Sequence, residues 1–195
     1  MRRKTFDILA SLGGLVLVAT LVIAGVLATW GYSFANDSVH NQLSQQQITF
    51  PAKGSAALAS PEIGPYLNQY AGQQLTTGDQ AKAYADHFIA VHLSEMPYGG
   101  VYAKVSAASM ANPTNATLKA EVQTVFQGTT LRGLLLEAYA FSVFATLALW
   151  AAVASFALAF IMALLVGFGF WHSRRVPADT EILVHTASTP EPTAV

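Results

Sequence analysis

Apolar positions along the chain fall into two long unbroken runs separated by about a hundred mixed residues. The first run, Ile8–Ala28, reads ILASLGGLVLVATLVIAGVLA, 21 residues without a charge. As a helix it covers about 31 Å, one hydrocarbon thickness. Arg2, Arg3 and Lys4 precede it, and Trp30 and Tyr32 follow at the place of an interface belt. The rival reading is a cleaved signal peptide, with Ser33-Phe34-Ala35 at the cleavage site. Apolar regions of signal peptides run only about 7–15 residues, which favours an anchor. The second run, Ala138–Trp171, has 34 residues without a charge. As a helix it reaches about 50 Å, more than a bilayer needs, so part of it must tilt or project. Arg174 and Arg175 follow it, and excess basic flanks mark the cytoplasmic side. The two runs therefore predict the same topology independently: two spans, both termini cytoplasmic, the middle outside.

The middle reads as helical. Asn36, Asp37 and Ser38 are each able to cap a helix toward Gln47. The segment ITFP at 48–51 is extended but too short to imply a sheet. Pro61 suits a first helical turn. Thr77-Gly78-Asp79 opens the clearest helix, Gln80 to Met96, ended by Pro97, with Ala81, Tyr84, Ala85, Phe88 and His92 on one face. A helix over 101–110 follows Gly99-Gly100. Asn115 or Thr117 starts another through Phe126, which Gly128 breaks before the second spanning helix. The expected fold is an all-α membrane protein, two transmembrane helices flanking a small helical extracytoplasmic domain. The boundaries are 1–7 cytoplasmic, 8–30 first span, 31–130 outer domain, 131–171 a long helix with the second span, and 172–195 a disordered cytoplasmic tail.

Composition sharpens this. Hydrophobic residues make up 53% and charged residues 11%, against roughly 25% charged in soluble domains. The net charge of -1 recruits no nucleic acid. Without cysteine there are no disulfides or thiolate sites, which suits a bacterial envelope protein held by packing alone. The outer segment has few Leu, Ile and Val, so a thin core is expected. The ending Thr193-Ala194-Val195 has the form accepted by strand-adding peptide pockets.

Candidate chemistry is sparse. His87, His92 and Glu95, beside Asp86, carry ligand types used by zinc and iron. On a regular helix His87 and His92 are about 140° apart, which disfavours one shared ion. No nucleophile elbow or phosphate loop occurs, and no acid or base lies in the central part of either run, as proton and ion pathways usually require. No cofactor is implied. The outstanding pattern is steric: Ala151, Ser155, Ala159, Ala163 and Gly167 repeat every four residues in the second run. Ala10, Gly14, Ala24 and Ala28 are shorter matches in the first. Such ridges let a second helix approach closely.

Three stretches carry a resemblance: PEIGPYLNQYAGQQLTTGDQAKAYADHFIAVHL, YAKVSAASMANPTNATL and FQGTTLRGLLLEAYAF. They resemble two-span membrane proteins of actinobacteria, over nearly the whole chain outside the tail. Some of those relatives go under the name aromatic ring-opening dioxygenase, which implies iron held by histidines and carboxylates. No comparable ligand set is found in this chain. The resemblance implies the topology read above. The resulting expectation is a non-catalytic protein of the cell membrane, embedded in the lipid bilayer and acting through a membrane-protein partner or a second copy. An envelope sensor with an aromatic pocket at Tyr66, Tyr70, Tyr84 and Phe88 is the alternative, and an oligomeric two-span channel the third.

Overall fold

Two helices, α1 (Arg3–Gln45) and α6 (Ala116–Arg175), are each long and apolar enough to cross a membrane. The computed structural model describes residues 2–177, and nearly all regular structure in it is helical. Between the long helices lie α2 (Gly64–Leu67), α3 (Gly78–Tyr84), α4 (Ala90–Ser94) and α5 (Tyr102–Ala111), with short 3-10 turns and one π-helical turn. Among the described residues no strand forms. Thr49 and Gln74 make a single antiparallel bridge, flanked by Phe50 N–H to Gln73 O at 2.9 Å and Leu75 N–H to Ile48 O at 2.8 Å. The long helix runs on to Arg175, past residue 172 where a disordered tail was expected to begin. The rest of that tail, with the terminal Thr193-Ala194-Val195, lies outside the described residues.

Both long helices exceed their expected bounds. Asn36, Asp37 and Ser38 lie inside α1 rather than capping a new helix. Ala35, Val39 and Leu43 are buried three or four residues apart across this stretch, so packing carries the helix through residues whose local preference is to start one. Gly128 likewise does not break α6. A Cβ there would lie 2.8 Å from Leu93 Cδ2, so this glycine marks a close approach between α6 and the Leu93 side chain. The long helix accordingly starts at Ala116, not at 131, and Asn115 caps it through Leu118 N–H to Asn115 Oδ1 at 3.1 Å.

The chain divides into two compact units at Thr29/Trp30 and Leu149/Trp150. The first unit is an antiparallel helix pair, residues up to Thr29 against residues from Trp150. Its shielded positions step by three and four: Asp7, Ser11, Gly14, Val18, Leu21, Gly25 and Ala28 on α1, and Ala152, Ser155, Ala159, Met162, Val166, Gly169 and Ser173 on α6. That 3.5-residue period is the seam of a left-handed helix pair. Cβ atoms added at Gly14 and Gly25 would lie 2.6 Å from Val166 Cγ2 and 2.8 Å from Phe156 Cε1, and one at Gly169 would collide with Ser11 Oγ. Glycine is therefore what allows the two backbones this close.

The second unit, residues 30–149, has an apolar core. It joins Val39 and Leu43 of α1, Phe50, Leu58, Ile63, Leu67, Leu75, the α3 face, Ile89 and Leu135 of α6. Phe50, 2% exposed, sits edge-on to Tyr84 at 5.4 Å and tilted against Tyr70 at 5.3 Å. Aromatic pairs in these geometries add about 0.5–1.5 kcal/mol beyond area burial.

Candidate functional site

The helix opened by Thr77 carries the densest polar chemistry of the second unit. Thr77 and Gln80 form a reciprocal capping box: Gln80 N–H donates to Thr77 Oγ1 at 3.3 Å, and Thr77 N–H donates to Gln80 Oε1 at 3.1 Å. α3 then widens into a π turn over Ala85–Ile89, closed by Ala90 N–H on the Ala85 carbonyl, before α4 resumes. The wide turn shifts the buried stripe. Ala81, Ala85 and Ile89 face the core, where a regular helix would present Phe88 and His92.

Arg132 of α6 braces this turn. Its Nε–H donates to the Ala85 carbonyl at 3.2 Å and its Nη2–H to Asp86 Oδ1 at 2.9 Å. Lys82 donates to the other Asp86 oxygen. The hydrogen bond from Lys82, joined by that from Arg132, holds the Asp86 carboxyl below its usual range, and the same bond to Asp86 raises the Lys82 ammonium. Lys82 also lies 5.4 Å from the centre of the Tyr139 ring. Burial pushes the Tyr84 phenol up. Single π turns occur often at functional sites. Here the acid in the turn is neutralised by two cations, so the arrangement reads as a structural clamp.

The expected metal-ligand residues stand apart. His87 stacks flat on Tyr66, ring centres 3.5 Å apart. His92 packs on Phe88, and its Nδ1–H donates to the Phe88 carbonyl at 2.7 Å. Glu95 is exposed at the end of α4. Among the described residues no three His, Cys, Asp or Glu side chains are grouped to hold a metal ion. The four aromatics whose shared pocket would favour a sensor are divided. Tyr84 and Phe88 line a 280 Å³ depression with His92 and Met96, Tyr70 packs on the Phe50 core, and Tyr66 is covered on one face by His87.

The small-residue ridge is also divided. Gly14, Ala28, Ser155 and Ala159 lie on the shielded seam, whereas Ala10, Ala24, Ala151, Ala163 and Gly167 face outward. A row stepping by four stays with a 3.5-residue seam for only one or two steps, and its remaining members rotate away. The seam has polar members that the sequence reading missed. Ser11 and Ser173 are buried, and His172 Nδ1–H donates to Asp7 Oδ2 at 3.0 Å. A signal existed: Asp7 and His172 are the first polar residues beyond the inner ends of the two runs, and antiparallel pairing brings such ends together.

On the second unit α1 and α6 also border an apolar groove of about 380 Å³. Phe34, Leu134 and Phe141 flank it at 59%, 59% and 46% exposure, and Ser38, Gln42, Gln46 and Glu137 supply its polar side chains. Comparison with protein-family models, with curated proteins and with solved structures finds no match to this chain.

Proposed function

We propose that this chain is an integral membrane protein of the bacterial cell envelope that crosses the bilayer twice, with both ends cytoplasmic. Residues 30–149 then form its outer unit, and the protein acts through contacts with a membrane-protein partner or a second copy rather than through catalysis. One observation carries the membrane reading: in each long helix only 17% of the most apolar eighteen-residue stretch is buried. A soluble protein's core helix hides such a stretch. Here Leu, Val, Ile and Phe face outward around the helix pair, where lipid is the solvent that costs nothing. From Trp150 to Trp171 the helix rises about 32 Å, close to one hydrocarbon thickness, and both rings are exposed as interface anchors are. Arg2, Arg3, Lys4, Arg174 and Arg175 at the opposite end set the orientation. The contact reading rests on the apolar groove with its exposed Phe34 and Leu134. Single cysteines at Ser55 and Ser188, probed on intact cells with an impermeant thiol reagent, test the topology: Ser55→Cys should label and Ser188→Cys should not. Labelling at 188, or none at 55, sinks it. For the contact reading, Leu134→Cys should form a discrete crosslinked adduct in membranes, and an exclusively monomeric product counts against it.

A further inference from the structure

A second cleft of the outer unit has a different character from the apolar groove. It holds about 490 Å³ between α1, the Thr76–Asp79 turn and α6. Its lining changes polarity along the helices. At one end stand Asn36, His40, Thr77 and Asp79, and at the other Val143, Leu147 and Leu149. The apolar end is open, with Leu147 59% and Val143 39% exposed. Over the ten helical steps from Tyr139 to Leu149 the α6 wall extends about 15 Å. This wall belongs to the charge-free run Ala138–Trp171, which is longer than one span needs.

Asp79 is the one carboxylate among the described lining residues, which include no lysine or arginine. Lys82, three residues beyond Asp79 in α3, is engaged by Asp86. Ser142 and Thr146 spend their hydroxyl protons on the Tyr139 and Ser142 carbonyls, which leaves their oxygens as acceptors in the cleft. A carboxylate with hydroxyl acceptors in the same cleft suits a group that donates hydrogen bonds and carries positive charge. An adjoining apolar wall suits a hydrocarbon chain attached to that group.

We infer that this cleft binds an ammonium-bearing amphiphile, a lipid whose primary amine meets Asp79 while its chain lies along Val143, Leu147 and Leu149. The inference rests on the membrane reading above. A phosphate-only or glycerol headgroup offers Asp79 no cation, and a quaternary ammonium cannot donate to it. A small soluble amine would share the headgroup chemistry but leave the apolar end uncovered.

The test is native mass spectrometry of the full chain in a neutral detergent, titrated with phosphatidylethanolamine, phosphatidylglycerol or soluble phosphoethanolamine. One phosphatidylethanolamine should bind about tenfold more tightly than phosphatidylglycerol, the effect of one charge-assisted hydrogen bond. Asp79→Asn should remove that preference. Leu147→Glu, on a separate helix and exposed, should weaken the lipid without depending on the α3 turn. Equal binding of the two lipids, an Asp79→Asn variant that keeps the preference, a Leu147→Glu variant that binds as wild type, or phosphoethanolamine competing as well as the whole lipid each overturns the inference. Carbonate extraction of cell membranes decides the spanning reading separately: release of the chain means that reading has failed, whatever the titration gives.

Discussion

Replacing Gly14 by alanine, with Gly13→Ala as its neighbour, isolates the closeness of the helix pair. Both substitutions gain the same helix propensity, about 1 kcal/mol in water, so their difference reads tertiary packing. At Gly13 an added Cβ meets nothing within 4 Å. At Gly14 it would stand 2.6 Å from Val166 Cγ2 and 3.7 Å from Met162 Cε. Carbon atoms prefer about 3.5–4.0 Å, so Val166 or the helix must give way by about 1 Å. Overpacking of that kind costs about 1–3 kcal/mol, or a factor of roughly 5–150 in the folded population. Reversible unfolding of the full chain in mixed micelles of rising SDS content measures it. Gly14→Ala should be the less stable of the two by that margin, and Val166→Ala added to Gly14→Ala should recover most of the loss. Equal stabilities for the two alanine variants would refute the heptad seam.

Two further outcomes concern the π turn. Arg132→Met keeps an apolar stem but removes both hydrogen bonds, to Ala85 and Asp86. With the guanidinium partly exposed, about 1–2 kcal/mol of stability should be lost in chemical unfolding, and an unchanged midpoint would mean the clamp is ornamental. The Asp86 carboxyl is held below its ordinary value by Lys82 and Arg132, so its contribution is present above about pH 4 and is lost as pH falls through the lower native value. Acid unfolding should show that loss in the wild type but not in Asp86→Asn, and superimposable curves would contradict it.

Where an element starts from a local device, it was legible. Thr77 with Gln80, Pro97 and Asn115 each act within a few residues, and each does what its chemistry announces. Devices that compete with packing misled. Asn36-Asp37-Ser38 and Gly128 have the composition of helix boundaries, yet the burial of Val39 and Leu43 and the approach of Leu93 carry both helices through them. The seam of the helix pair was half legible, because an alanine-rich helix offers several rows of small side chains. Which row is used depends on where Gly14 and Gly25 stand on the other helix, more than a hundred residues away. The π turn had no local signature, since its brace comes from Arg132 on α6. The site residues follow the same division: His87 and His92 were recognisable as chemistry, but their aromatic partners were fixed only by the tertiary fold.

The widened turn at Ala85–Ile89 has a bearing on how this chain tolerates a change of length. A deletion inside a regular helix turns everything beyond it by about 100° and tears one side from its contacts. Here one residue more than an α-helical turn needs is already accommodated. Removing His87 would leave Ala81, Ala85 and the present Ile89 and Leu93 at intervals of four, three and four, the ordinary stripe of an uninterrupted helix. The capping box at Thr77 and the packing of Leu93 against Gly128 would keep their places. This helix is therefore the point in the second unit where losing a residue restores regularity.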